Sequence, residues 1–85
     1  MDKQSISALI KEVIVNTVGQ SLAPNPFPDD YPLLGNLLDS LAVTNLIVAL
    51  EEQFGIFFND DDLSAEAFAT VNALVALLDK KLNAG

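Results

Sequence analysis

The sequence predicts an all-α fold, a small helical bundle of three main helices plus one short helix, with a long first loop. Three observations point there. Apolar residues recur at helical spacing in three separate segments, Ile6 to Ile14, Val43 to Phe54 and Val71 to Leu82. All four prolines fall within the nine positions from Pro24 to Pro32, a density that interrupts helix and strand alike. With no cysteine and no histidine, the 85 residues have neither a disulfide nor a Cys/His metal set, so packed apolar helix faces must hold them together. A chain this short buries only about 60–65% of the surface it exposes when unfolded. Its 51% hydrophobic composition is the means of filling an efficient core, and residues 1–85 are expected to form a single domain.

Ile6, Leu9, Ile10, Val13 and Ile14 keep the spacing of a helix with one buried stripe, which sets the first helix at about Gln4 to Val18 with Gly19 as its stop. The proline-rich loop follows, pinned by Phe27, Tyr31, Leu33 and Leu34. A connection of this length in a small domain usually belongs to function or to a specific architecture. The second main helix begins at Asp39 or Ser40, both residue types whose side-chain oxygens accept from the free N–H groups of a helix start. Its core stripe is Val43, Leu46, Ile47, Leu50 and Phe54, and Gly55 ends it. Alternation in Ile56-Phe57-Phe58-Asn59 turns Ile56 and Phe58 inward and leaves Phe57 facing water or a partner. Asp60-Asp61-Asp62 leads into the short helix, expected at roughly Ser64 to Phe68. Thr70 caps the last helix, whose stripe is Val71, Leu74, Val75, Leu78 and Leu82, and Lys80 and Lys81 suit its negative C-terminal end.

The formal net charge is −8, and its placement is uneven: all four lysines lie near the ends, while eleven acids and no base occupy Glu12 to Asp79. Such a surface repels phosphate backbones, which argues against nucleic-acid binding. It favours partners with Lys/Arg patches, at rates that fall as salt screens the field. Lys3, Lys11 and Glu12 interrupt the opening apolar pattern, so the segment lacks the unbroken stretch of a signal peptide. No run approaches the roughly 18 apolar residues of a membrane span. The expectation is a soluble, cytoplasmic monomer that does not bind membranes.

Ser40 offers a hydroxyl at a helix start with no catalytic machinery around it. A nucleophilic serine needs a neighbouring base, the chain has no histidine, and no strand-turn-helix elbow surrounds Ser40. The protein is therefore read as a non-enzyme, with Ser40 as a place where another enzyme attaches a group. The same helix has a second apolar edge. Leu41 and Val48, seven residues apart, lie nearly in line at 100° per residue, and the uncharged Thr44 and Asn45 lie between them. Beside Ser40 these four residues read as a small docking surface, although exposed aliphatics also scatter over protein surfaces without a role.

Asp39-Ser40-Leu41, then Leu46, Leu50-Glu51-Glu52 and Phe54-Gly55-Ile56, resembles the second-helix signature of the acyl and peptidyl carrier proteins. Asp60-Asp61-Asp62-Leu63, Phe68 and Thr70-Val71 fall where that family has its acidic loop and the junction to its last helix. The resemblance runs from about Leu33 to Leu82, and its weight lies in the ordered combination, not in the tripeptide. It implies that a phosphopantetheinyl transferase attaches 4′-phosphopantetheine from coenzyme A to Ser40, with Asp39 helping the transferase position its metal and coenzyme A; plain N-capping also suits Asp39. The arm would hold an acyl or aminoacyl group as a thioester, supplied by a loading ligase and delivered to synthase or transferase enzymes with basic and apolar docking patches. Two departures stand out. Asn36, Leu37 and Leu38 intervene between Gly35 and Asp39, and Asn36 is the residue type next most tolerant of a left-handed backbone after glycine. Thr44 and Asn45 stand where fatty-acid carriers commonly place an acid, so recognition would rest more on Leu41, Val48 and shape than on charge.

Fatty-acid, polyketide and nonribosomal-peptide carriers share this bundle, and Leu63 to Phe68 leans only slightly towards specialised pathways. A free-standing carrier is the leading expectation, because the chain starts and stops close to the domain limits. The alternative from another class is an unmodified helical interaction module using Leu41 and Val48 or the exposed Phe57. Metal sensing by Asn59-Asp60-Asp61-Asp62 fails the Ca²⁺-loop pattern, which needs Gly at the sixth position and Glu at the twelfth.

Overall fold

Three helices, α1 (Lys3–Val18), α2 (Ser40–Phe54) and α3 (Val71–Asn83), and a 3₁₀ turn at Asp60–Asp62 make up the computed structural model, which describes residues 2–83. Each main helix starts and stops within a residue or two of the positions its apolar stripe and caps predict. Asp2 caps α1, accepting from the Ser5 N–H at 2.7 Å, a bond that lowers the Asp2 pKa. Gly55 closes α2 in the left-handed conformation, with φ of +64°, and its N–H returns to the Glu51 carbonyl. Thr70 Oγ1 accepts from the Ala73 N–H at 3.2 Å at the start of α3. No helix among the described residues is long and apolar enough to cross a membrane.

α1 packs against both other helices, along α3 most extensively, while α2 and α3 touch little directly. The gap between them is filled by the segment that joins them. Phe58 and Phe68, both buried, meet edge to face with ring centroids 5.9 Å apart. Around them lie Ile6, Ile10, Ile14, Leu46, Leu50, Val71, Leu74 and Leu78, which expose nothing to solvent. Val43, Ile47 and Phe54, placed in the core stripe by spacing, are half-buried and pack on its margin.

The short helix differs from expectation in place. It is the 3₁₀ turn Asp60–Asp62, and Ser64 to Phe68 forms a hydrogen-bonded turn instead. Asp62 accepts from the Asn59 N–H at 3.0 Å, and the Asp62 N–H returns to the Asn59 carbonyl at 2.9 Å, so the tight turn is closed at both ends. Five residues from Ser64 give barely one turn for the cost of a helix nucleus. The Ser64 hydroxyl takes the Ala67 N–H at 3.1 Å, and the Ala69 carbonyl is drawn to the Leu33 N–H at 2.8 Å.

The long loop is tied down where its apolar residues predict. Leu33 is fully buried, and Phe27 and Tyr31 meet edge to face at 5.9 Å. Asp29 adds an anchor that spacing does not reveal: it pairs with Lys11, accepts from the buried Ser7 hydroxyl at 3.3 Å, and its carbonyl accepts from the Asn72 N–H at 3.0 Å. One loop residue thereby joins α1 to α3.

A second anchor sits at the other end. Lys81 pairs with Asp62, donates to the Phe57 carbonyl at 3.0 Å and lies 5.7 Å from the centroid of the Phe58 ring. Its hydrogen bond to Asp62, helped by the Asn59 N–H, holds that carboxyl below the ordinary range. A carboxylate with a depressed folded pKa stabilises the protein above its unfolded value of about 3.9, and that contribution is lost as pH falls through the folded value. Thermal melts from pH 7 to pH 2 should therefore show the parent losing its advantage over Lys81→Met below about pH 4. An advantage independent of pH would show that Lys81 acts through its bond to the Phe57 carbonyl and its place over the Phe58 ring, and not through the ion pair.

Candidate functional site

The backbone just before α2 is wound around one carbonyl. Leu33 O accepts from the N–H groups of Leu37 and Leu38, both at 2.9 Å, and more loosely from Asn36 at 3.3 Å. Gly35 makes this winding possible with φ of +84°, a conformation costly for any residue bearing a Cβ, and its N–H reaches the Leu38 carbonyl at 3.2 Å. Asn36 does not take the left-handed role that its residue type allows, since among the described residues only glycines have positive φ. Leu33 and Leu38 fill the core from this turn, with exposures of 0% and 2%. Their burial fixes the next residue at the surface.

That residue is Asp39, extended at φ −93° and ψ −177°, whose Oδ1 accepts from the Ala42 N–H at 2.8 Å and whose carbonyl accepts from Val43 at 2.9 Å. Ser40 follows as the first helical residue and is exposed. The N–H groups of Ser40 and Leu41 precede the first donors that an α-helix can satisfy internally. The Ser40 hydroxyl therefore stands beside free amides at the positive end of the helix dipole, a setting that favours a phosphate ester. The Asp39 carboxylate, turned to Ala42, is a cap in this geometry and not a base for its neighbour.

Leu41, Thr44, Asn45 and Val48 lie within an arc of about 100° on α2, adjoining Ser40. All four are exposed, Leu41 at 70% and Val48 at 50%. The Thr44 hydroxyl bonds back to the Ser40 carbonyl at 3.0 Å, so the strip is uncharged and its exposed polarity lies chiefly in the Asn45 amide. Phe57, at 77% the most exposed large apolar residue described, does not join it. It follows the C-terminal end of α2, roughly 22 Å along the helix from Ser40 at 1.5 Å per residue.

Sequence spacing missed the apolar wall beside Ser40. An open depression of about 530 Å³ is lined by Leu34, Gly35, Leu38, Asp39, Ser40 and Val43. A smaller one, about 170 Å³, shares Leu34 and Val43 and continues to Ile47, Leu63, Ala65 and Phe68. The available signal was Leu34 and Leu38 flanking a glycine just before the helix, but a bare pattern does not say that they face the serine. Among the described residues, no group of three or more acids, histidines or cysteines is arranged to hold a metal ion.

Residues 8–78 match the family model described as the phosphopantetheine attachment site. An acyl carrier protein of Solidesulfovibrio magneticus is 38% identical over 81 residues, covering 91% of this chain and 95% of that protein. One from an Exiguobacterium species is 35% identical, covering 96% and 100%. Among solved structures, the solution NMR structure of a holo acyl carrier protein from Nitrosomonas europaea superposes with a TM-score of 0.76 at 32% identity, covering 89% of this chain and 93% of that one.

Proposed function

The chain belongs to the acyl carrier protein family, with 4′-phosphopantetheine as its prosthetic group, and we propose that it is a single, free-standing carrier domain modified on Ser40. The observation behind this assignment is the exposed Ser40 hydroxyl at the first position of α2, inside the matched region and beside unsatisfied helix amides. These residues fit the group: amides and the helix dipole favour the phosphodiester, and the apolar wall of Leu34, Leu38 and Val43 adjoins it. When bound, the arm supplies a thiol that holds cargo as a thioester, chemistry absent from a chain without cysteine.

The protein's own residues position and present. Asp39 fixes the helix start and is the acid that a phosphopantetheinyl transferase would read. Leu41, Thr44, Asn45 and Val48 form the strip on which loading ligases and synthase or transferase enzymes dock. An apolar wall suits an acyl more than an aminoacyl cargo, within fatty-acid, polyketide or nonribosomal-peptide types of pathway. The protein is read as a monomer of the cytoplasm. The test is intact-protein mass spectrometry after incubation with coenzyme A, Mg²⁺ and a broad phosphopantetheinyl transferase. The expected product is heavier by one phosphopantetheinyl group, and an unchanged mass under conditions that convert another carrier would overturn the reading.

A further inference from the structure

Phe57 is held out in water by a rigid frame. The Phe57 carbonyl is fixed by Lys81 at 3.0 Å, the next N–H is accepted by Glu51 at 2.9 Å, and the Asn59 N–H is accepted by Asp62 at 3.0 Å. Phe58 is locked in the core with 4% exposure, so Phe57 points the other way, 77% exposed. A ring so placed gains nothing from folding. It loses little conformational freedom on binding, because its backbone is already fixed.

The surrounding charge indicates what it would meet. Asp60 and Asp61, three and four residues on, are exposed, and neither pairs with a lysine among the described residues. Of the two nearby cations, Lys81 is paired with Asp62, and the exposed Lys80 acts on that same carboxylate. In a chain of net charge −8, a second copy is a repulsive occupant. A single aromatic knob beside two unneutralised carboxylates complements a helix with an apolar stripe bordered by Lys or Arg, whose i, i+3 and i+4 side chains leave a hole for the ring.

We propose that Phe57, Asp60 and Asp61 form a second docking site, at the end of α2 remote from Ser40, for a basic amphipathic helix of a partner protein. The site goes beyond the carrier reading and does not require the arm. It is tested on unmodified, isotope-labelled protein by NMR titration with a synthetic helical peptide that has leucines on one face and lysines bordering them. Shifts should concentrate at residues 57–61. Phe57→Ser, which removes an exposed ring and leaves the core intact, should weaken binding about tenfold or more, as loss of an interface anchor does. Asp60→Asn with Asp61→Asn should weaken it less and flatten its salt dependence. Shifts centred on Leu41 and Val48, or equal affinity for parent and Phe57→Ser, would overturn the proposal. Because Ser40 is unmodified throughout, failure here is distinguishable from failure of the attachment assignment.

Discussion

Ser40→Ala is expected to keep its unmodified mass under conditions that convert the parent completely. The prediction is all-or-none, since transfer exchanges the P–O bond to the departing adenosine bisphosphate of coenzyme A for one to the serine oxygen, and alanine has no oxygen to offer. The substitution should leave the fold in place. Ser40 is exposed, and the capping bond to the Ala42 N–H comes from Asp39, not from the serine. An exposed change of this kind stays within about 0.5 kcal/mol, so circular dichroism melts of parent and variant should nearly coincide. That coincidence excludes misfolding as the reason for an unmodified product. Of the chain's other serines, Ser7 is buried against Asp29 and the Ser64 hydroxyl is taken by the Ala67 N–H, while Ser5 and Ser21 are exposed but neither follows an aspartate as Ser40 does. A phosphopantetheinyl group on the alanine variant would move the attachment site elsewhere and dissolve the role given to α2.

Which parts of this molecule could be read from its residues follows from the range of the interactions. Helix stripes and caps are local, so Ile6 to Ile14, Asp39, Gly55 and Thr70 announce their elements from spacing and residue type alone. Ser40 was legible for the same reason, as a hydroxyl at a helix start in a chain with no histidine. The opposed roles of Phe57 and Phe58 followed from two-residue alternation. The turn over Ser64 to Phe68 was not legible, because its fate depends on Leu33, which is distant along the chain and takes the Ala69 carbonyl. Asp29 and Lys81 belong to the same class. Each looks like an ordinary surface charge in the sequence, and each ties a loop to a helix that is distant along the chain. The apolar wall beside Ser40 likewise combines Leu34 and Leu38 with Val43, a juxtaposition made only when Leu33 and Leu38 are buried together.

Leu50→Ala is expected to damage the fold severely while leaving the site chemistry untouched. Leu50 sits on the inward face of α2 with no exposed surface, and truncating such a side chain costs about 2–5 kcal/mol through lost transfer energy and the cavity left behind. Domains are stabilised by about 0.05–0.15 kcal/mol per residue, roughly 4–13 kcal/mol for a chain of this size, so the loss is a large fraction of the total. The architecture limits repair. α2 rests mainly on α1 and touches α3 little directly, so few neighbours can move into the space. There is also no disulfide to restrain the unfolded chain. Leu41→Ala is the matched control: it removes the same atoms from the same helix at a residue 70% exposed, and should change stability by no more than about 0.5 kcal/mol. Urea unfolding of both variants decides the matter. A clearly lower midpoint for Leu50→Ala alone would confirm that the inward stripe holds Ser40 in place, whereas equal midpoints would mean that α2 is anchored by something other than its buried leucines.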